Sequence, residues 1–151
     1  MIGDTVSESV VITATPHAAF AVVSDLVQMG RFSLENRGGR WVGAVARPAL
    51  GARFKGFNRQ GRASWSTIAT VSQFEPDASF TFDVTYFGIP VSQWSYVIDE
   101  EGDGIRLTQT WRDNRPAWFA FVTKPLIADR TSFTRDSIHH TLTTMKAFLE
   151  A

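Results

Sequence analysis

The chain contains no cysteine. That absence removes disulfides, thiolate metal sites and a cysteine nucleophile together, and it fits a reducing compartment. Neither charge is in excess, because fifteen Lys and Arg balance fifteen Asp and Glu. A phosphate backbone or an anionic lipid surface would meet no strong field, so nucleic acid is not an expected partner. No apolar run approaches the ~18 residues that cross a bilayer, so stable membrane insertion is not expected either. The opening MIGDTVSESVVI has no basic segment and no apolar stretch of about 7 to 15 residues, so it does not read as a signal peptide. The expected location is cytoplasmic. HExxH, GxSxG, P-loop and GxGxxG patterns are also missing. Metal, nucleotide and serine-hydrolase chemistry therefore have no motif behind them, and no cofactor or metal is implied.

Aromatic residues are plentiful: 12 Phe, 5 Trp and 2 Tyr in 151 residues. Five Trp exceed what the core of so short a chain needs. The length suits one domain over residues 1–151, and it allows roughly 70% of the unfolded surface to be buried without a covalent staple.

Residues 5–14 are β-branched and predict a strand. Thr15 and Pro16 then predict a helix start, with Thr15 as N-cap and Pro16 in the first turn. Phe20 and Val23 share one face of that helix. Ser24 and Asp25 can cap a second short turn that runs to Met29 and stops at Gly30. The stretch RFSLENRGGRW reads as a polar loop ending at Gly38 and Gly39, followed by a strand over 41–44.

Two stronger strands, about 52–60 and 62–74, meet at Gln60 and Gly61. Residues 78–87 alternate, with Phe80, Phe82, Val84 and Tyr86 on one face. Gly88, Ile89 and Pro90 read as a turn. Residues 91–99 place Trp94, Tyr96 and Ile98 on one side. After a turn over 100–104, residues 105–113 do the same with Ile105, Leu107, Gln109 and Trp111. Such alternation means half-buried antiparallel strands. Residues 116–127 are apolar and broken by Pro125. Residues 130–150 predict a helix whose stripe is Ile138, Leu142, Met145 and Leu149.

The expected class is α+β: a curved antiparallel sheet of six to seven strands around a long C-terminal helix, with two short helices after the first strand. A sheet with one apolar face must be covered, and the terminal helix is the only long cover available. One helix is too narrow to fill so wide a concave face, so part of that face should stay hollow.

This order of elements resembles the helix-grip fold of the SRPBCC (START-like) superfamily, and most of all its polyketide cyclase/dehydrase branch. The segments TPHAAFAVVSDLVQMGRF, GARFKGFNRQGRASWSTIATVSQFEPDASFTF and WSYVIDEEGDGIRLTQTW carry the likeness, which spans most of residues 5–150. The resemblance implies a deep pocket between sheet and C-terminal helix, with the short helices around its mouth. Relatives bind lipids, hormones or polyketides, and some catalyse cyclisation or dehydration.

The inward strand faces should line the pocket through Phe82, Tyr86, Trp94, Tyr96, Gln109 and Trp111. Ile138, Leu142 and Met145 should contribute from the helix. The competing expectation is that these aromatics pack on each other and close the space. Tyr and Trp argue against it, because their O–H and N–H groups need partners when buried, and so does Gln109 on an apolar face. Asn58 and Trp65 are candidates to orient a ligand carbonyl, whereas Arg59 and Arg62 read as a solvated hairpin end.

Glu35 falls where the family places a pocket-edge loop and is a weak candidate for a general acid or base, against an exposed loop carboxylate. His139 is a second weak candidate, since it flanks the apolar stripe. Its neighbour His140 points about 100° away, so the two cannot share a metal. His17 and His140 read as surface, and Asp25 as a helix cap. Trp118, Phe119 and Phe121 leave three roles open: a lid over the pocket, a contact with a partner copy in a homodimer, or core at the helix entry.

The leading functional expectation is binding of an apolar or amphipathic small molecule. A polyketide cyclase or dehydratase comes second, with Glu35 or His139 as base and Tyr86, Tyr96, Asn58 or Arg59 as donors. An interaction module acting through residues 118–121 comes third; the resemblance admits it, because related folds include chaperone activators.

Overall fold

The computed structural model describes residues 3–43, 46–123 and 130–151. Seven strands form one antiparallel sheet: β1 (Thr5–Ile12), β2 (Asn36–Trp41), β3 (Arg53–Gln60), β4 (Ala63–Glu75), β5 (Ser79–Tyr86), β6 (Ile89–Glu101) and β7 (Gly104–Asp113). Their spatial order is β1-β7-β6-β5-β4-β3-β2, so the first strand returns to pair with the last. Between β1 and β2 lie α1 (Pro16–Val23) and a short 3-10 helix (Leu26–Arg31). After β7 come α2 (Ala117–Thr123) and the long helix α3 (Arg130–Leu149), which packs mainly against β1 and β7. This is the helix-grip α+β fold.

Local chemistry accounts for the element boundaries. The Thr15 hydroxyl accepts from the Ala18 N–H, and Pro16 opens α1. The Asp25 carboxylate caps the 3-10 helix through the Gln28 N–H. Two-residue turns join β3 to β4, β5 to β6 and β6 to β7. Register shifts interrupt β4 between Val71 and Gln73, and β6 opposite Val84 and Thr85. Such bulges bend a strand and deepen the curl of the sheet.

Three expectations need correction. The loop expected before Gly39 is already sheet, since β2 begins at Asn36 and pairs with β3. Gly39 permits it: a Cβ there would run into the Lys55 carbonyl. The strand expected over 41–44 ends earlier, at Trp41, while Ala44 lies outside the described residues. The turn expected over 88–90 is Phe87-Gly88, with Ile89 and Pro90 inside β6. Phe87 takes φ 48°, a conformation that two-residue hairpin turns require and large side chains disfavour. Pro125, expected to break the apolar stretch after β7, lies outside the described residues.

The inner face of the sheet divides in two. At one end α1 and α3 close down on it: Phe20, Phe74 and Phe80 meet edge to face at 5.4–6.3 Å, and Ile12, Ile105, Leu107, Ile138, Leu142 and Met145 are fully buried. At the other end, where β3, β5 and β7 finish, the space between the sheet and α3 is not filled. A cavity of about 390 Å³ remains there.

A cavity with an aromatic wall and a polar inner end

Alternation puts one residue in two onto the cavity wall. Phe54, Gly56 and Asn58 come from β3, and Trp65, Thr67 and Ala69 from β4. Phe82, Val84 and Tyr86 of β5 face Trp94 and Tyr96 of β6, with Gln109 of β7 beside them. The 3-10 helix adds Leu26 and Met29, and α2 adds Phe119 and Thr123 at the mouth. Phe119 lies 6.1 Å from the Tyr86 ring and so joins α2 to the sheet. The wall is mostly apolar, as ligand pockets are.

Seven of the residues expected at the pocket are on its wall: Asn58, Trp65, Phe82, Tyr86, Trp94, Tyr96 and Gln109. Five are elsewhere. Ile138, Leu142 and Met145 belong to the filled end, and the helix offers Ser137 and Thr141 to the cavity instead. The stripe of α3 is thus double, apolar on one side and hydroxyl-bearing on the other. The spacing Thr134, Ser137, Thr141 is the signal in the sequence that could have found it. Trp111 is buried in the core behind the wall, with its indole N–H unpartnered among the described residues. Trp118 is 58% exposed and points away.

Of the two weak catalytic candidates, Glu35 reaches the cavity and His139 does not. His139 lies on the outer side of α3, 70% exposed, and pairs with Glu8 of β1 at 2.8 Å. Helical geometry turns it away from the apolar stripe. Glu35 is held by its loop: the Ser33 hydroxyl accepts from the N–H groups of Glu35 and Asn36, and the Glu35 carbonyl accepts from the Arg59 N–H. Its carboxylate forms a two-pronged ion pair with Arg130 from the start of α3, one contact being 2.8 Å. Burial alone would pull the Arg130 guanidinium below its ordinary value. The charge and hydrogen bond of Glu35, and the charge of Asp113, outweigh burial and raise it. Arg130 also lies over the Trp111 ring.

A second pair stands close by, Asp113 with Arg115 at 2.7 and 2.9 Å. Arg115 and Arg130 were not expected from the sequence, yet both line the cavity. At the inner end the Gln109 side-chain N–H donates to the Tyr96 hydroxyl at 2.9 Å, and Tyr96 donates to the Met29 sulfur at 3.8 Å. Burial pushes the Tyr96 phenol well above its ordinary range, so it stays neutral. Asn58 donates to the Thr67 hydroxyl at 3.1 Å. Among the described residues no group of three His, Asp or Glu could hold a metal ion, and no helix is long and apolar enough to cross a membrane.

A helix-grip sheet with a cavity under its long helix defines a START-like protein. A family model described as polyketide cyclase/dehydrase and lipid transport matches residues 4–147, and the chain belongs to that family. Among solved structures, it is similar to a polyketide-cyclase-like protein of Corynebacterium glutamicum, with 26% identity, coverage of 97% of this chain and 91% of the other, and a TM-score of 0.63. It is also similar to a START superfamily protein of Mycobacterium smegmatis, with 14% identity, 98% coverage of each chain and a TM-score of 0.73. Major latex-like protein 151 of Panax ginseng shares 11% identity over all of both chains, with a TM-score of 0.74. No curated protein matches the sequence.

Proposed function

We propose that the protein binds an apolar or amphipathic small molecule, lipid- or polyketide-like, in the cavity between sheet and α3. The observation that carries this reading is the cavity itself: about 390 Å³, with a wall whose exposed surface is mostly apolar, from Phe54, Phe82, Val84, Tyr86 and Trp94 among others. Burying about 300 Å² of ligand would contribute about 7 kcal/mol before ordering costs, which corresponds to micromolar affinity at best. The family description, which joins cyclase and lipid transport, agrees with a ligand of this class.

Binding is preferred over catalysis because the acid–base groups are engaged. Cyclisation or dehydration needs a base within reach of the substrate. The carboxylates of Glu35 and Asp113 are each held by an arginine, and His139 lies outside. Trp65 and Trp94 report on the cavity from within. Titration with fatty acids, sterols and aromatic polyketides should change tryptophan fluorescence saturably, and no response to any class would reject the reading.

The outward face of α2 supports a further role for that helix. Trp118, Phe121 and Val122 are 58%, 79% and 62% exposed, which favours contact with a partner copy over core packing. Trp118→Asp should then shift the protein to a smaller species in size-exclusion chromatography. An unchanged elution volume would leave α2 as cavity wall alone.

A further inference from the structure

Gln109 is 3% exposed, and its side-chain oxygen has no hydrogen-bond partner among the described residues. A buried acceptor without a donor is unfavourable, and it is seldom left so without a purpose. Its neighbours fix which atom of the amide is left without a partner. The nitrogen donates to the Tyr96 hydroxyl, and the Tyr96 proton is directed to the Met29 sulfur. The phenol is held neutral by burial, so it keeps that proton. The oxygen is therefore the atom left over. Ser137 and Thr141 line the same cavity, and a hydroxyl can donate as well as accept. The charged groups described on the wall, Glu35, Arg115 and Arg130, are paired within the protein.

We propose that the inner end of the cavity recognises a neutral hydroxyl, so that the ligand is an apolar alcohol or phenol that enters hydroxyl first and donates its proton to the Gln109 oxygen. This rests on the reading of the cavity as a binding site and adds the class of ligand. A ketone or ether would set acceptor against acceptor, and a hydrocarbon would leave the Gln109 oxygen orphaned. A carboxylate would bring a charge, and the two arginines described on the wall are already paired. A site built to hydrogen-bond a hydroxyl discriminates strongly against analogues lacking it, because its own polar group is then stranded.

Calorimetric titration of the full chain with 2-naphthol, 2-methoxynaphthalene and naphthalene tests this, since the three share one ring system. 2-Naphthol should bind roughly ten-fold more tightly than either analogue. Gln109→Leu should remove that preference by weakening 2-naphthol alone. Tyr96→Phe should free the amide to rotate and offer its N–H, so that 2-methoxynaphthalene gains on 2-naphthol; a merely structural role for Tyr96 would weaken all three together. Equal binding of the three by the wild-type protein, or a preference that survives Gln109→Leu, would overturn the hydroxyl inference and leave the apolar-ligand reading in place. Absence of binding by all three would overturn it too. If fatty acids and sterols also failed to bind, the underlying reading would fall with it.

Discussion

Glu35 and Arg130 are 95 residues apart in sequence and share a two-pronged ion pair at the edge of the cavity, each only 12% exposed. A buried pair contributes little net stability, but removing one partner strands the other charge. Glu35→Ala should therefore destabilise the protein by about 3 kcal/mol or more, seen as a lower denaturant midpoint with an unchanged slope. Glu35→Leu combined with Arg130→Met should recover most of that loss. If the single substitution costs no more than the double one, the pair does not constrain the fold. Glu35 was legible as a candidate because of where it falls in the family pattern. Arg130 was not, since nothing local in the sequence shows which distant carboxylate a basic residue will meet. Gln109 was legible for the opposite reason: strict alternation fixes its face, and a polar side chain between Leu107 and Trp111 is conspicuous.

At the scale of elements, the end of α3 is tied to the end of β1. The Lys146 ammonium donates to the Val11 carbonyl at 2.8 Å and to Glu150 at 2.7 Å, and Glu150 accepts from the Thr13 N–H at 2.8 Å. The hydrogen bond from Lys146, then that from Thr13, holds the Glu150 carboxyl below its ordinary 4.5. A depressed folded value means this tie is complete above about pH 4.5 and is lost as pH falls through the lower folded value. Glu150→Gln should accordingly lower the thermal midpoint at neutral pH and flatten its fall below pH 4.5; a parallel fall in both proteins would contradict this. Strong periodicity made β5, β6, β7 and α3 legible to within a few residues. It failed for β2, because Asn36, Gly38 and Gly39 are poor strand formers, and pairing with β3 overrides that preference. It failed at Pro90 because a proline reads as a turn, whereas a position beside a bulge tolerates the missing N–H.

At the scale of the molecule, a wide curved sheet meets a single long helix that cannot fill it. Aromatic packing closes one end, around Phe20, Phe74 and Phe80. The other end keeps its aromatic wall and stays open. Element order made the hollow foreseeable. Which end would be hollow was not, because that depends on where Ile138, Leu142 and Met145 land relative to Ser137 and Thr141. The claim that matters most is that this hollow is a binding site rather than a packing remainder. A cavity-filling substitution addresses it directly, since Val84 lines the wall and is only partly buried. The decisive measurement is ligand affinity in Val84→Trp set beside the wild-type protein, by calorimetry with the fatty acid, sterol or aromatic compound that binds best. Saturable binding by the wild type, abolished in a variant that keeps its thermal midpoint, is the result the account predicts. Equal affinity in both proteins would place the ligand elsewhere and contradict it.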